Sequence, residues 1–115
     1  MIKKLVLSLV LIVMLQMQPV IAHPGGHAPM DEQQAIRVAA MVVAQLVDTD
    51  AGLGFGKLKQ NWTALPNEAT QIHQRGPGYY IVRVVNAAEQ RTLYVLMSVQ
   101  GQIFDANFTG TFKGL

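Results

Sequence analysis

Three histidines are the side chains best equipped for chemistry in this chain, and two of them, His23 and His27, flank Pro24-Gly25-Gly26. Cleavage after Ala22 makes His23 the N-terminal residue, offering both its α-amine and its imidazole. His27 then reaches the same ion across the flexible glycine pair. Nitrogen donors of this type suit divalent copper, nickel or zinc. Pro24 has no amide proton, which impairs a square-planar site built from successive deprotonated amides. The competing reading is a loose His-containing leader that only gives the signal peptidase a substrate. His73 stands apart, on the polar side of a weak strand, and reads as a surface residue.

No catalytic set emerges from the remaining residues. Acid–base work needs paired groups in a pocket. Asp31, Glu32, Asp48, Asp50, Glu68, Glu89 and Asp105 fall instead at caps, turns and strand surfaces. Beyond the leader the only serine is Ser98, in mid-strand with no histidine at a readable spacing. The absence of cysteine excludes disulfides, thiolate metal sites, a thiol nucleophile and a lipoprotein acyl anchor. Asp48 and Asp50 open a glycine-rich loop to Gly56 that lacks the further oxygen ligands and closing Glu of a calcium loop. The run Gly52-Leu-Gly-Phe-Gly-Lys57 follows a helix and misses the phosphate-loop spacing. The expectation is a protein that is not an enzyme.

These residues are carried on a chain of 115, half of it hydrophobic. Much of that excess is local. Met1-Ile-Lys-Lys is a short basic start, Leu5–Met17 is apolar apart from Ser8 and Gln16, and Pro19-Val20-Ile21-Ala22 closes with small residues at the cut-site positions. This is the three-part layout of a secretory signal peptide over residues 1–22. The apolar run falls short of the roughly twenty residues that span a bilayer, so no membrane span is expected in the mature chain. Its removal takes Lys3 and Lys4, leaving seven basic groups against seven acidic ones. The basic balance of the whole chain therefore carries no nucleic-acid implication. Nor do the aromatics, which lack interleaved Lys or Arg. Residues 23–30 read as a flexible His/Gly/Pro-rich start, and 31–115 as a single domain.

Within that domain, Asp31 and Gln34 form a capping-box pattern opening a helix to about Val47. Ile36, Ala40, Val43 and Val47, widened by Ala35, Ala39 and Leu46, predict its buried stripe. Val38, Met41 and Val42 then make the outer side greasy, the mark of a partner surface or of one more layer of core. Phe55–Asn61 predicts a short turn of helix, with Leu58 and Trp62 on one side. Three β-prone runs follow, Tyr79–Val85, Arg91–Val99 and Ile103–Phe108, with a weaker one near Ala69–Gln74. Tyr80, Val82 and Val84, then Leu93, Val95, Met97 and Val99, then Phe104, Ala106 and Phe108, are the expected inward sets. Linkers of hairpin length make the order an antiparallel meander. The fold class is α+β: one N-terminal amphipathic helix packed on a three- to four-stranded antiparallel meander.

The His/Gly-rich start, the Lys57-Leu-Lys-Gln-Asn-Trp62 run, the Gly-Pro turn before an aromatic strand and Thr92–Gly110 (TLYVLMSVQGQIFDANFTG) together resemble a family of small exported bacterial proteins of unknown function, DUF6488-like. The helix followed by a meander is also similar in pattern to PepSY-type domains, which implies an exported binding or inhibitory module. The resulting expectation is a periplasmic or secreted, non-enzymatic binding or regulatory module with a periplasmic protein partner. The alternative is a metal-binding accessory protein using His23 and His27.

Overall fold

The computed structural model describes residues 28–115. The leader, its cleavage point after Ala22, and both His23 and His27 lie outside the described residues. Helix α1 spans Glu32–Asp48 and is followed by four strands, β1 (Thr70–Gly76), β2 (Tyr79–Asn86), β3 (Arg91–Ser98) and β4 (Ile103–Asn107). All neighbours pair antiparallel in chain order, so the sheet is the expected meander with a fourth strand in place. No described helix is long and apolar enough to cross a membrane.

The start of α1 is fixed locally. The Asp31 carboxylate accepts from the Gln34 amide at 2.8 Å, and the Gln34 side chain accepts from the Asp31 amide at 2.9 Å. Two otherwise unpaired helix donors are thus satisfied. A long-range clasp holds the same end: Met30 N–H donates to Val99 O at 2.7 Å, and Tyr80 Oη donates to Met30 O at 2.8 Å. At the other end the Leu58 amide donates to Leu46 O at 2.9 Å, using one of the last-turn carbonyls. The returning loop is therefore tied to the helix it leaves. The expected helical turn at Phe55–Asn61 is instead a 3-10 turn at Gln60–Ala64, and Leu58 and Trp62 are both buried.

The buried stripe of α1 is Ala35, Ala39, Val42, Val43, Leu46 and Val47. It is rotated from the expected one: Val42 points inward, Ala40 is exposed and Ile36 only half-buried. The apolar surface of this helix is wider than the sheet can cover, so periodicity alone could not centre it. Opposite it stand Tyr80, Val82 and Val84 from β2 and Leu93, Val95 and Met97 from β3, none more than 4 % exposed. This is the main core, which also takes in Trp62 and Ala106.

Two bulges depart from simple alternation. His73 is the extra residue between Ile72 and Gln74 on β1, and Phe104 between Ile103 and Asp105 on β4. The Phe104 bulge breaks the expected inward set, leaving that ring 55 % exposed. Beyond it the Asp105 carboxylate accepts from the Ala106 amide at 2.8 Å.

The outer face of the sheet is drier than the alternation implies. After β4, Asn107 folds a tight turn, its Oδ1 accepting from the Gly110 amide at 2.8 Å while its Nδ2 donates to Thr111 O at 2.9 Å. Gly110 has φ 76°, and a Cβ there would stand 3.2 Å from the Tyr94 ring. The chain end then runs back so that Phe112 closes over Ile81 and Leu96, with Tyr79 and Tyr94 beside it. Leu96, expected on a mixed face, is buried for this reason.

Candidate functional site

The chemistry-bearing residues within the described chain do not converge. His73 is exposed, its ring set edge-on to Tyr94 at 4.9 Å. The Ser98 hydroxyl oxygen accepts from the amides of Gln100 and Gln102, both at 3.1 Å, and so serves the β3–β4 turn. Glu32 pairs with Arg75 at 2.7 Å on an exposed surface, tying the start of α1 to the end of β1. Asp50 accepts from the Gly52 amide within its own loop. No group of three or more His, Cys, Asp or Glu gathers among the described residues.

Two polar features lie closer to the core. The Trp62 indole N–H donates to Glu89 Oε1 at 3.0 Å, while Glu89 Oε2 is buried without a partner among the described residues. Asn86, only 1 % exposed, donates from Nδ2 to Asn61 Oδ1 at 3.2 Å and accepts from the Glu89 amide. This network seats Trp62 where the 3-10 turn meets the sheet. Arg91 lays its guanidinium over the Phe108 ring at 3.7 Å, and Phe55 meets that ring edge-on at 4.8 Å. Both arrangements position core aromatics.

A concave feature runs along α1. A groove of about 690 Å³ separates the helix from the segment that leads into β1. Ile36, Ala40, Val43 and Ala44 form the helical wall, Leu65 and Pro66 the opposite one, and Trp62 and Val84 lie deeper. Gln33 and Arg37 stand on the helical rim, with Asn67 and Glu68 across from them. All four rim residues are exposed. None makes a side-chain hydrogen bond or ion pair among the described residues, whereas Glu32, Arg75, Gln71 and Arg83 are all engaged with one another in pairs.

Each wall has a local cause. The alanines at positions 40 and 44 are one turn apart and leave the helix surface low between the bulkier Ile36 and Val43. Pro66 and the 3-10 turn Asn67–Ala69 hold the other wall away from helical geometry, so that it stands off from α1. The sequence signal for the helical half was the apolar stripe passing through Ile36 and Ala40. The opposite wall is some thirty residues away along the chain, and no local pattern announces that the two meet. A smaller groove of about 410 Å³ lies on the other flank of α1, between it and β4, with Leu53, Ile103 and Phe104 in its lining.

Comparison with known proteins gives one match. A family model described as "Family of unknown function (DUF6488)" matches residues 1–111. No curated protein and no solved structure matches the chain.

Proposed function

The chain belongs to the DUF6488 family, and from that premise we propose that it is an exported, non-enzymatic binding module of PepSY-like type that holds a polypeptide partner in the groove beside α1. The observation that carries this reading is the groove itself, with Ile36, Ala40, Leu65 and Pro66 in its walls and a rim of amide and charged side chains that have no partner among the described residues. Apolar concavities with a few convergent polar groups are where proteins take ligands. Export to the periplasm or beyond follows from the basic, apolar and small-residue sequence ending at Ala22.

The cysteine-free sequence provides a direct test. Gln33→Cys, carrying a maleimide-benzophenone, places a photoreactive group on the groove rim; Lys113→Cys places the same group on an exposed site far along the chain. In periplasmic extract the Gln33 site yields a defined adduct that disappears when Ala40→Phe fills the groove. Equal adducts from both sites, or an adduct indifferent to Ala40→Phe, sink the reading.

A second reading is favoured by the sequence His23-Pro24-Gly25-Gly26-His27. In it the processed N-terminus binds one divalent copper, nickel or zinc ion through His23, with His27 as the additional donor. Titration of correctly processed protein with copper gives one site, weakened by His27→Ala. An absence of binding at micromolar copper removes this role.

A further inference from the structure

Residues 109–115 cross the outer face of the sheet with few ties to it. Asn107, in register with Tyr94, is the last residue of β4. Its side chain accepts from the Thr109 and Gly110 amides and donates to Thr111 O, and the Thr111 amide donates to Thr109 Oγ1. Among the described residues these are the hydrogen bonds that residues 109–115 make, and none of them reaches β1, β2 or β3. Gly110 lies against the Tyr94 ring. Phe112 is the one buried side chain of the segment, and it joins Ile81 and Leu96 in a cluster separate from the core beneath α1. We propose that residues 109–115 form a strap that lifts from the outer face as a unit of its own, uncovering Ile81 and Leu96 while the sheet and α1 stay folded.

The opposing forces favour such an opening. Holding seven residues in one conformation is resisted by the backbone entropy of each. A single buried ring and a turn made by one side chain act against it, while Thr109, Thr111 and Lys113 are exposed and add no burial. The hinge is defined as well. Phe108 stays with the main core, where Phe55 meets its ring edge-on at 4.8 Å and Arg91 lies over it at 3.7 Å. Gly110, two residues on, has φ 76°, a conformation that glycine adopts without strain. Motion therefore begins between an anchored Phe108 and a permissive Gly110. By contrast α1 buries side chains from Ala35 to Val47 and is bonded to other segments at both ends. Elements that differ so much in buried contacts open with different free energies. The lifted strap leaves an apolar surface on a fixed sheet, Ile81 and Leu96 with the rings of Tyr79 and Tyr94 beside them.

Because the chain has no cysteine, adjacent positions on one strand can report the two faces. Ile81→Cys sits under the strap, and Val82→Cys, the next residue, sits under α1. Leu96→Cys and Val95→Cys repeat the comparison on β3 if circular dichroism shows that a β2 variant does not fold. Alkylation of the full chain by iodoacetamide is followed by intact mass across low urea concentrations. The expected result is that Ile81→Cys reacts about a hundredfold faster than Val82→Cys or more, at a rate that hardly changes below the unfolding transition, because a local opening exposes little new surface. Val82→Cys should instead accelerate steeply with urea, as global unfolding does. Adding Val84→Ala on the inner face should speed Val82→Cys about tenfold and leave Ile81→Cys unchanged, since the strap-open state keeps the inner core intact. The proposal is overturned if Ile81→Cys matches Val82→Cys in rate and urea dependence, which makes the strap part of the global unit. It is equally overturned if Ile81→Cys reacts as fast as a thiol in an unfolded peptide, which means that the strap does not close.

Discussion

The two faces of the sheet are closed by different means. On the inner face a regular helix, clasped at both ends, covers Val82, Val84, Leu93, Val95 and Met97. On the outer face a single aromatic near the chain end covers Ile81 and Leu96, while Arg83, Gln71 and His73 stay polar neighbours. The inner closure is extensive and continuous; the outer one hangs on the Asn107 turn. The lesson is that alternation in a strand specifies two faces but not what covers each. A face that reads as wet is dry if a remote segment returns to it. Stability is concentrated on the helical side, and the helix is broader in apolar surface than its task requires, which is what leaves a groove beside it.

Substitutions on the two faces test that contrast. Leu93→Ala, at a fully buried inner position, is expected to cost about 2–5 kcal/mol in denaturant unfolding, with a cavity left beneath α1. Phe112→Ala should cost about 1–3 kcal/mol, below the usual range for a core phenylalanine because its cluster holds only two other buried residues, Ile81 and Leu96. A larger loss for Phe112→Ala than for Leu93→Ala breaks the comparison. Gly110→Ala should cost about 1–2 kcal/mol, since φ 76° is left-handed and the new methyl meets the Tyr94 ring. Hydrogen exchange should then rise in the segment after Asn107 while α1 keeps its protection. The smallest effect is expected at the β2–β3 turn, where Gln90 has φ 54°. Gln90→Gly relieves that backbone and should gain up to about 1 kcal/mol, without favouring either face.

What was legible in the sequence is what is decided within a few residues. Asp31 and Gln34 announce the start of α1 because both partners of the capping box lie in one turn. The alternation through Tyr80–Val84 and Leu93–Met97 announces an inner face because strand geometry is local. The rotation of α1 was hidden by its excess of apolar residues, which made Ala40 as plausible a core position as Val42. Phe104 was misplaced because a bulge shifts parity at one residue and leaves no compositional mark. The cover over Leu96 depends on Phe112 returning across two strands. The candidate groove was half visible: its helical wall is a stripe in the sequence, but its other wall is brought there only by the fold. Residues 1–27 lie outside the described structure, so the metal reading at His23 and His27 rests on sequence alone.

The last strand carries one further consequence. A ladder margin with open amides is a template on which stray extended chains assemble. Here the Asp105 carboxylate already occupies the Ala106 amide, and the neighbouring bulge bends the register just before it. One amide of this edge is thereby filled and the bulge bends the strand beside it, two features that make the margin a poorer template for a stray strand.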